Sequence, residues 1–252
     1  MKLLIDLSFV GTNYCGWQKQ KNKLTVQEVV TDAAKKLFGF DCDITGCSRT
    51  DSGVHANKFC ATVAKKGENA LQTTVPTEKI PRAFNNFLPE DVAVNGARFV
   101  AEDFHPRYSV IFKEYVYLIY DRAERDPFSS KRCWHVSHEF DDKAVEKMNA
   151  AAAYLVGKHD FCAFMAAGSK IEDTVRTVKY TEVVRDGGFI KLRIAADGFL
   201  YNMVRIITGT LVEVGYGKLA PEKIAEIIEG RDRRAAGRTA PPDGLYLNEV
   251  IY

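Results

Sequence analysis

Strand and helix patterns alternate through both halves of this sequence, and this alternation constrains the fold most. Leu3–Phe9 has the composition of an opening strand, and a helical spacing of apolar residues starts after Thr25. Thr25 and Glu28 form a capping-box pattern at the start of this helix, and Gly39 ends it. The elements predicted after it are a strand at 59–63, a short helix at 77–87 and a strand at 92–100. The first half is therefore predicted as β-α-β-α-β.

The second half shows the same mixture of patterns. Asp186-Gly187-Gly188 is typical of a hairpin turn between two alternating segments, and Pro221 fits the first turn of a helix. The other predicted elements are a strand at 109–120, a helix at 141–156, hairpin strands at 175–184 and 189–195, an amphipathic helix at 200–214 and a strand at 245–251. Two α/β-mixed domains, 1–104 and 105–252, are the simplest organisation.

Composition allows this architecture but does not indicate a partner. The chain has 252 residues, of which 46% are hydrophobic, enough for the cores of two domains of ordinary size. Its 35 basic and 33 acidic residues leave a net charge of +2, so net charge does not indicate a nucleic-acid-binding protein. Basic residues cluster at Arg231–Arg234 with Arg238, and at Lys19, Lys21 and Lys23. Each cluster fits either a solvated surface or a binding surface.

The motifs that would indicate a cofactor do not occur in the sequence. The six cysteines form no C-x-x-C pair, and neither a Walker A nor a G-x-G-x-x-G sequence occurs. We therefore expect no metal, no nucleotide cofactor and reduced cysteines. The N-terminus lacks the long apolar region of a signal peptide, and no apolar run approaches membrane-spanning length. We expect a cytoplasmic protein without a membrane partner.

The segment Gly46–Ala56 contains the strongest candidate for chemistry. It sets Asp51 two residues after Arg49 and four before His55, in a turn rich in small residues. Glycine and short polar residues favour such turns, and catalytic groups are common on loops between ordered elements. Asp51 can therefore act as a catalytic carboxylate or can simply cap the turn.

Further motifs follow in a characteristic order along the chain. They are Gly16-Trp17-Gln18 with Thr25-Val26-Gln27, Arg49–Ala56, Phe104–Arg107, Lys113–Tyr117, Gly157–Phe161, Phe199–Arg205 and Ala240–Leu245. Together they resemble the tRNA pseudouridine synthase A family over nearly the whole chain. The sequence departs from the family pattern at Ser48, at Phe9-Val10-Gly11-Thr12 and at Pro106. None of these departures removes the aspartate, arginine or tyrosine that the chemistry needs.

The resemblance implies a fold, an activity and a set of site residues. The implied fold is α+β, with two α/β-mixed domains, largely antiparallel sheets, flanking helices and an active-site cleft between the domains. The implied activity is isomerisation of uridine to pseudouridine at positions 38, 39 and 40 of the tRNA anticodon arm, by a homodimer. The resemblance assigns catalysis to Asp51, pairing with this carboxylate to Arg205, contact with the flipped base to Tyr115, and extrusion of the nucleotide to Arg49.

Two other functions fit parts of the sequence. Asp51-Ser52-Gly53 matches the D-[ST]-G signature of aspartic proteases, but those enzymes need two such carboxylates and the sequence has no second copy. A non-catalytic RNA-binding module would keep the basic and aromatic positions without using Asp51. Trp17 and Gln18 could contact RNA or pack in the core, and His55, His105 and His159 could be structural or catalytic.

Overall fold

The computed structural model describes residues 1–169 and 171–252, which form two compact units. The first unit is Met1–Ile111 with Leu247–Tyr252, and the second is Phe112–Tyr246. The predicted division at residue 104 leaves the C-terminal segment in the second domain, whereas the structure places Leu247–Tyr252 in the first unit. Among the helices of the described residues, none is long and apolar enough to cross a membrane.

Five strands and two α-helices make up the first unit. Its elements are β1 (Lys2–Phe9), α1 (Val26–Phe38), β2 (Cys42–Gly46), β3 (His55–Lys65), α2 (Ile80–Asn85), β4 (Val92–Val100) and most of β10 (Leu245–Ile251). The strand order is β4-β1-β3-β10, and β2 also pairs with β3, in antiparallel orientation. Strand β1 is antiparallel to both neighbours, so that Ile5 lies opposite Ala61 on one side and Ala97 on the other. Leu3, Leu4, Ile5 and Leu7 of this central strand are fully buried.

Helix α1 begins and ends at the residues that the sequence indicates. The Thr25 hydroxyl accepts a hydrogen bond from the Glu28 amide at 3.4 Å, and Gly39 ends the helix in the left-handed conformation, with φ of 77°. The buried face of the helix consists of Val26, Val30, Ala33 and Ala34. The predicted boundaries of α1 are therefore confirmed.

The second unit contains mainly antiparallel strands and three α-helices. Its elements are β5 (Phe112–Tyr120), β6 (Trp134–His135), α3 (Asp142–Ala153), β7 (Gly157–Asp160), β8 (Val175–Asp186), β9 (Phe189–Ala196), α4 (Met203–Gly215) and α5 (Lys223–Gly230). The strand order is β5-β9-β8-β7, and the short β6 runs parallel to β5. The predicted hairpin of β8 and β9 is confirmed, with φ of 59° at Gly187. Antiparallel pairing therefore predominates in both units, as the α+β prediction requires.

Helix α4 begins later than the predicted residue 200 and is more deeply buried than a surface helix. It begins at Met203, because Asn202 has a left-handed φ of 59° and interrupts the helical path. Ten of its thirteen residues are buried, and of the charged ones Arg205 and Glu213 are half-buried. The predicted helix is therefore present, and other elements of the second unit cover most of its surface.

Candidate active site

Asp51 lies on the loop between β2 and β3. The loop is held at its start by the Cys47 amide, which donates to the Cys60 carbonyl at 2.8 Å. It turns where the Val54 amide donates to the Asp51 carbonyl at 3.2 Å, and Gly53 supplies a φ of 82°. Asp51 is half-buried and Arg49 is exposed. The loop is therefore a compact turn that leaves part of the Asp51 side chain accessible.

A second loop, residues 11–17, packs directly against the Asp51 loop. The Trp17 amide donates to the Thr50 carbonyl and the Gly53 amide to the Tyr14 carbonyl, both at 3.3 Å. The two glycines of this second loop allow the close approach. A Cβ on Gly16 would lie 2.3 Å from the Thr50 carbonyl oxygen, and a Cβ on Gly11 would lie 2.0 Å from that of Val54. A side chain at either glycine would therefore displace the loop that carries Asp51.

Tyr14 fixes this second loop to the rest of the first unit. Its hydroxyl donates to Asp91 at 2.5 Å, and the Asn13 side-chain amide donates to the same carboxylate at 3.2 Å. Burial, and then the hydrogen bond and charge of Asp91, raise the pKa of Tyr14 well above its ordinary value. Tyr14 therefore stays protonated and keeps donating at physiological pH.

Trp17 is a packing residue. It is 1% exposed, and its ring stacks on Phe59 with the centroids 4.0 Å apart. A Cβ on Gly46 would lie 2.5 Å from the indole nitrogen. The structure thus decides between the two interpretations of Trp17, because a ring buried on β3 is not accessible to a base. Gln18 is exposed and donates to the Gln27 side chain at 2.9 Å.

The three histidines of the sequence motifs, His55, His105 and His159, form hydrogen bonds with main-chain groups. His55 is 1% exposed, and its Nδ1 accepts from the Gly11 amide at 3.0 Å. His105 Nδ1 accepts from the Arg107 amide at 3.1 Å, and His159 Nε2 lies 3.0 Å from the Val156 carbonyl oxygen. These contacts support the structural interpretation of each histidine.

Thr50, directly before Asp51, has an unusual environment that the sequence did not indicate. Its side chain is 8% exposed, and its hydroxyl oxygen is buried without a hydrogen-bond partner in the described part of the chain. An unpaired buried hydroxyl costs about 1–3 kcal/mol. The Asp51 loop is therefore held by its main-chain contacts and not by the Thr50 hydroxyl.

Tyr115 lies in β5 of the second unit, opposite Ile194 of β9. It is 6% exposed, and Phe199 packs against its ring edge-to-face, with the centroids 4.9 Å apart. Tyr117, two residues on, is fully buried and donates its hydroxyl to the Pro241 carbonyl at 2.7 Å. Burial raises the pKa of Tyr117 well above its ordinary value. Both tyrosines are therefore buried in the packed sheet, and only Tyr115 keeps a small exposed fraction.

Arg205 of α4 is oriented by two contacts within the second unit. Its Nε donates to the Ala240 carbonyl at 2.7 Å, and its Nη1 donates to the Asn202 side-chain oxygen at 2.7 Å. The Ala240 amide in turn donates to the Arg205 carbonyl at 3.0 Å. The motifs Phe199–Arg205 and Ala240–Leu245, distant in sequence, therefore meet at this guanidinium. Such contacts give a charged side chain a defined direction before substrate binds.

The basic cluster at 231–234 is largely paired within the protein. Arg234 forms three hydrogen bonds of 2.8 to 3.0 Å with the Asp232 carboxylate, which lower the pKa of Asp232 to about 2. Arg233 donates to the Gly237 carbonyl at 2.9 Å, and Arg231 Nε lies 3.3 Å from Asp160. This part of the chain therefore offers less unpaired positive charge than its sequence suggests.

The structure divides the predicted site residues between the two units, with Asp51 and Arg49 in the first and Tyr115 and Arg205 in the second. Sequence reasoning proposed these four residues through motifs, and their roles stay predictions. It missed the close-packed glycines Gly11 and Gly16, whose role depends on contacts with a distant loop.

Comparisons with known proteins agree on one family. Residues 7–109 and 151–252 match the family model described as tRNA pseudouridine synthase. The tRNA pseudouridine synthase A of a Thermoanaerobacter species is 46% identical over 250 residues, which cover 99% of each chain. That of Acetivibrio thermocellus is 45% identical over 252 residues, covering all of this chain and 99% of its own. Clostridium perfringens has a tRNA pseudouridine synthase A 2 that is 42% identical over 98% of both chains.

Among solved structures, one chain of a Cbf5-Nop10-Gar1 complex aligns with 97% of this chain and 57% of its own length. The identity is 12% and the TM-score 0.35, which is too weak a likeness to carry a functional conclusion.

Proposed function

Because the chain belongs to the tRNA pseudouridine synthase family, whose reaction is an isomerisation, we propose that it modifies uridines 38, 39 and 40 of the tRNA anticodon arm. The full-length similarity to three synthases at 42 to 46% identity carries this proposal. This full-length similarity argues against an aspartic protease, because the chain shares only the tripeptide Asp51-Ser52-Gly53 with that class. We further propose that the enzyme is a cytoplasmic homodimer.

The reaction rearranges bonds without a net change of oxidation state. The bond between N1 of uracil and C1′ of ribose breaks, the base rotates, and a bond forms between C5 and C1′. C5 then loses its proton and N1 gains one. A carboxylate can serve as nucleophile or as base in such a sequence. We assign this role to Asp51, which is partly accessible on a loop that many main-chain contacts hold in place.

The other three residues act on the substrate in this proposal. A uridine must leave the base stack before an enzyme can reach its glycosidic bond, and Arg49 is exposed beside Asp51, where it can occupy the space of the extruded base. Tyr115 contacts the extruded base. Arg205 favours the ionised form of the catalytic carboxylate by charge pairing. Its contacts with Ala240 and Asn202 support this role, because they orient the guanidinium.

Asp51→Asn is expected to abolish catalysis without abolishing RNA binding. The measurement is tritium release from tRNA labelled at uridine C5, because C5 loses its hydrogen when the new glycosidic bond forms. Asp32→Asn is a matched control, since Asp32 is exposed on α1. We expect release by the native chain and by the control, and none by Asp51→Asn.

Two results would contradict this assignment. Equal tritium release by the native chain and by Asp51→Asn would show that the reaction occurs but that Asp51 is not essential for it. Absence of release by the folded native chain, with tRNA still bound, would favour a non-catalytic RNA-binding module.

Salt is expected to weaken tRNA binding steeply. A protein that contacts several phosphates displaces condensed cations, and the logarithm of its affinity falls linearly with the logarithm of salt concentration. The net charge of the chain is only +2, which is too small for the whole surface to attract RNA. In this proposal the phosphate contacts therefore come from local clusters of basic residues, which a dimer combines. Filter binding of tRNA from about 50 to 200 mM salt tests this. An affinity that stays constant over that range would argue against a groove that follows phosphates.

A further inference from the structure

Tyr108 projects from the first unit as an aromatic side chain that the catalytic assignment does not use. It is 77% exposed, in contrast to the buried tyrosines Tyr14, Tyr115 and Tyr117. It follows the turn His105-Pro106-Arg107, which lies between β4 and β5. We refer to His105, Arg107 and Tyr108 together as the Tyr108 platform.

Main-chain hydrogen bonds make this turn rigid. The amides of Tyr108 and Ser109 both donate to the His105 carbonyl, at 3.1 and 2.9 Å. The His105 amide donates back to the Ser109 hydroxyl at 3.2 Å. Binding of a ligand to a turn that is already ordered costs less conformational entropy than ordering a mobile loop.

Two further bonds fix the turn to the first unit. The Tyr252 hydroxyl donates to the Pro106 carbonyl at 2.9 Å, and Lys2 Nζ donates to the Phe104 carbonyl at 3.2 Å. The Phe104 and Tyr252 rings also pack together, with the centroids 4.9 Å apart. Tyr108 is therefore exposed on a turn that these contacts hold in place.

The side chains of the platform contact one another. The His105 and Tyr108 ring centroids are 4.4 Å apart at 33°, and the Arg107 guanidinium carbon lies 5.8 Å from the Tyr108 centroid. Partial burial, and then the charges of Lys2 and Arg107, lower the pKa of His105. The platform thus combines an accessible ring, a neutral supporting ring and an exposed cation.

We propose that the Tyr108 platform binds an unpaired nucleotide of the RNA substrate, with the Tyr108 ring stacked on the base and Arg107 near the phosphate. This inference rests on the proposed function. Aromatic rings beside cations are a common means of binding single-stranded RNA, because every base offers a face for stacking and every nucleotide carries a negative phosphate.

The charges at the turn favour a polyanion over a protein surface. Arg107 and Lys2 supply positive charge at the turn, and Asp103 is an exposed negative charge that opposes them. Glu102, next to Asp103 in sequence, pairs with the Met1 ammonium at 3.0 Å. The depression lined by His105 and Pro106 carries both signs of charge, with four acidic residues and four lysines: Asp32, Asp41, Asp43, Glu68, Lys2, Lys19, Lys35 and Lys66. A protein interface would instead need a well-packed apolar area of several hundred Å² on each partner.

Removal of the ring tests the proposal directly. Stacking contributes roughly 1–3 kcal/mol per base, so Tyr108→Ala is expected to raise the Kd for tRNA about 5- to 150-fold. Tyr108→Phe keeps the ring and should bind within about twofold of the native chain. Tyr154→Ala is the matched control, because Tyr154 is 45% exposed in the second unit. Tritium release at saturating tRNA should be similar in all four proteins.

A fluorescent variant tests whether the bound base is unpaired. Trp17 and Trp134 are 1% and 7% exposed, so the indole introduced by Tyr108→Trp would be the accessible one. We expect a single-stranded RNA oligonucleotide to quench its emission more strongly than an RNA duplex of the same length. Equal quenching by both would overturn the stacking proposal.

Two other outcomes would also overturn the inference. One is a Tyr108→Ala variant that binds tRNA like the native chain while the native chain releases tritium, a result that leaves the proposed function intact. The other is a change in oligomeric state without a change in Kd, which would assign the platform to contact between protein chains. Failure of the native chain to release tritium would count against the proposed function itself.

Discussion

At the scale of single residues, two aspartates contact the same arginine in the second unit but differ in burial and in hydrogen bonding. Arg185 binds Asp121 through two hydrogen bonds of 2.9 and 3.0 Å, and Asp121 is fully buried. Asp142 lies 3.7 Å from Arg185 Nε, and its side chain is 89% exposed. Removing one partner of a buried pair leaves an uncompensated charge, which costs about 3–5 kcal/mol, whereas an exposed pair contributes about 0–1 kcal/mol.

We therefore expect Asp121→Ala to lower the free energy of unfolding by about 3 kcal/mol, and Asp142→Ala by less than about 1 kcal/mol. Urea denaturation of the three proteins measures both values. Similar losses for the two variants would show that burial and hydrogen bonding do not make the Arg185–Asp121 pair stronger than the Arg185–Asp142 pair.

At the scale of elements, the contact between α4 and the segment 236–240 depends on a glycine. A Cβ on Gly209 would lie 1.8 Å from the Arg238 carbonyl oxygen. Gly209→Ala must therefore push this segment away from α4, and with it the Ala240 carbonyl to which Arg205 donates. Gly230, also helical, is the matched control, since its Cβ would meet nothing within 4 Å.

Gly209→Ala is expected to destabilise the protein by about 1–3 kcal/mol, as overpacking usually does, and to reduce tritium release because Arg205 loses its orientation. Gly230→Ala should be neutral or stabilising by up to about 1 kcal/mol, because alanine favours a helix more than glycine. Thermal unfolding and tritium release of both variants provide the comparison. A Gly209→Ala variant as active and stable as the control would exclude the close contact.

At the scale of the whole molecule, the C-terminal strand returns the chain to its first unit. Strand β10 pairs with β3, and the Ile111 amide donates to the Ile251 carbonyl at 2.8 Å. Lys58 also forms an ion pair with Glu249. Deletion of residues 247–252 is expected to destabilise the first unit more than the second, although the deleted residues follow the second in sequence.

Hydrogen exchange measures this effect for each strand. In the truncated chain, we expect amides of β1 and β3 to lose protection, while those of β8 and β9 keep it. Equal loss of protection in both units would indicate that they unfold together. No loss in β3 would show that β10 contributes little to the first unit.

Local sequence features predicted much of this fold. The bounds of β4 and β10 and both caps of α1 agree with the sequence, because strand alternation, the capping hydroxyl of Thr25 and the left-handed Gly39 act within a few residues. The motif around Asp51 likewise identified a turn. The roles of Asp51, Arg49, Tyr115 and Arg205 remain predictions, and the proposed experiments address those of Asp51 and Arg205.

The remaining features depend on residues that are distant in the chain. Trp17 is buried because its ring stacks on Phe59, and Gly16 must be a glycine because the Thr50 carbonyl lies against it. Helix α4 is buried because other elements of the second unit surround it. Pairing of β2 with β3 and the return of β10 to the first unit were also not evident from sequence. Periodicity reports which faces are apolar, but packing depends on which faces meet, and that is settled only when the chain is folded.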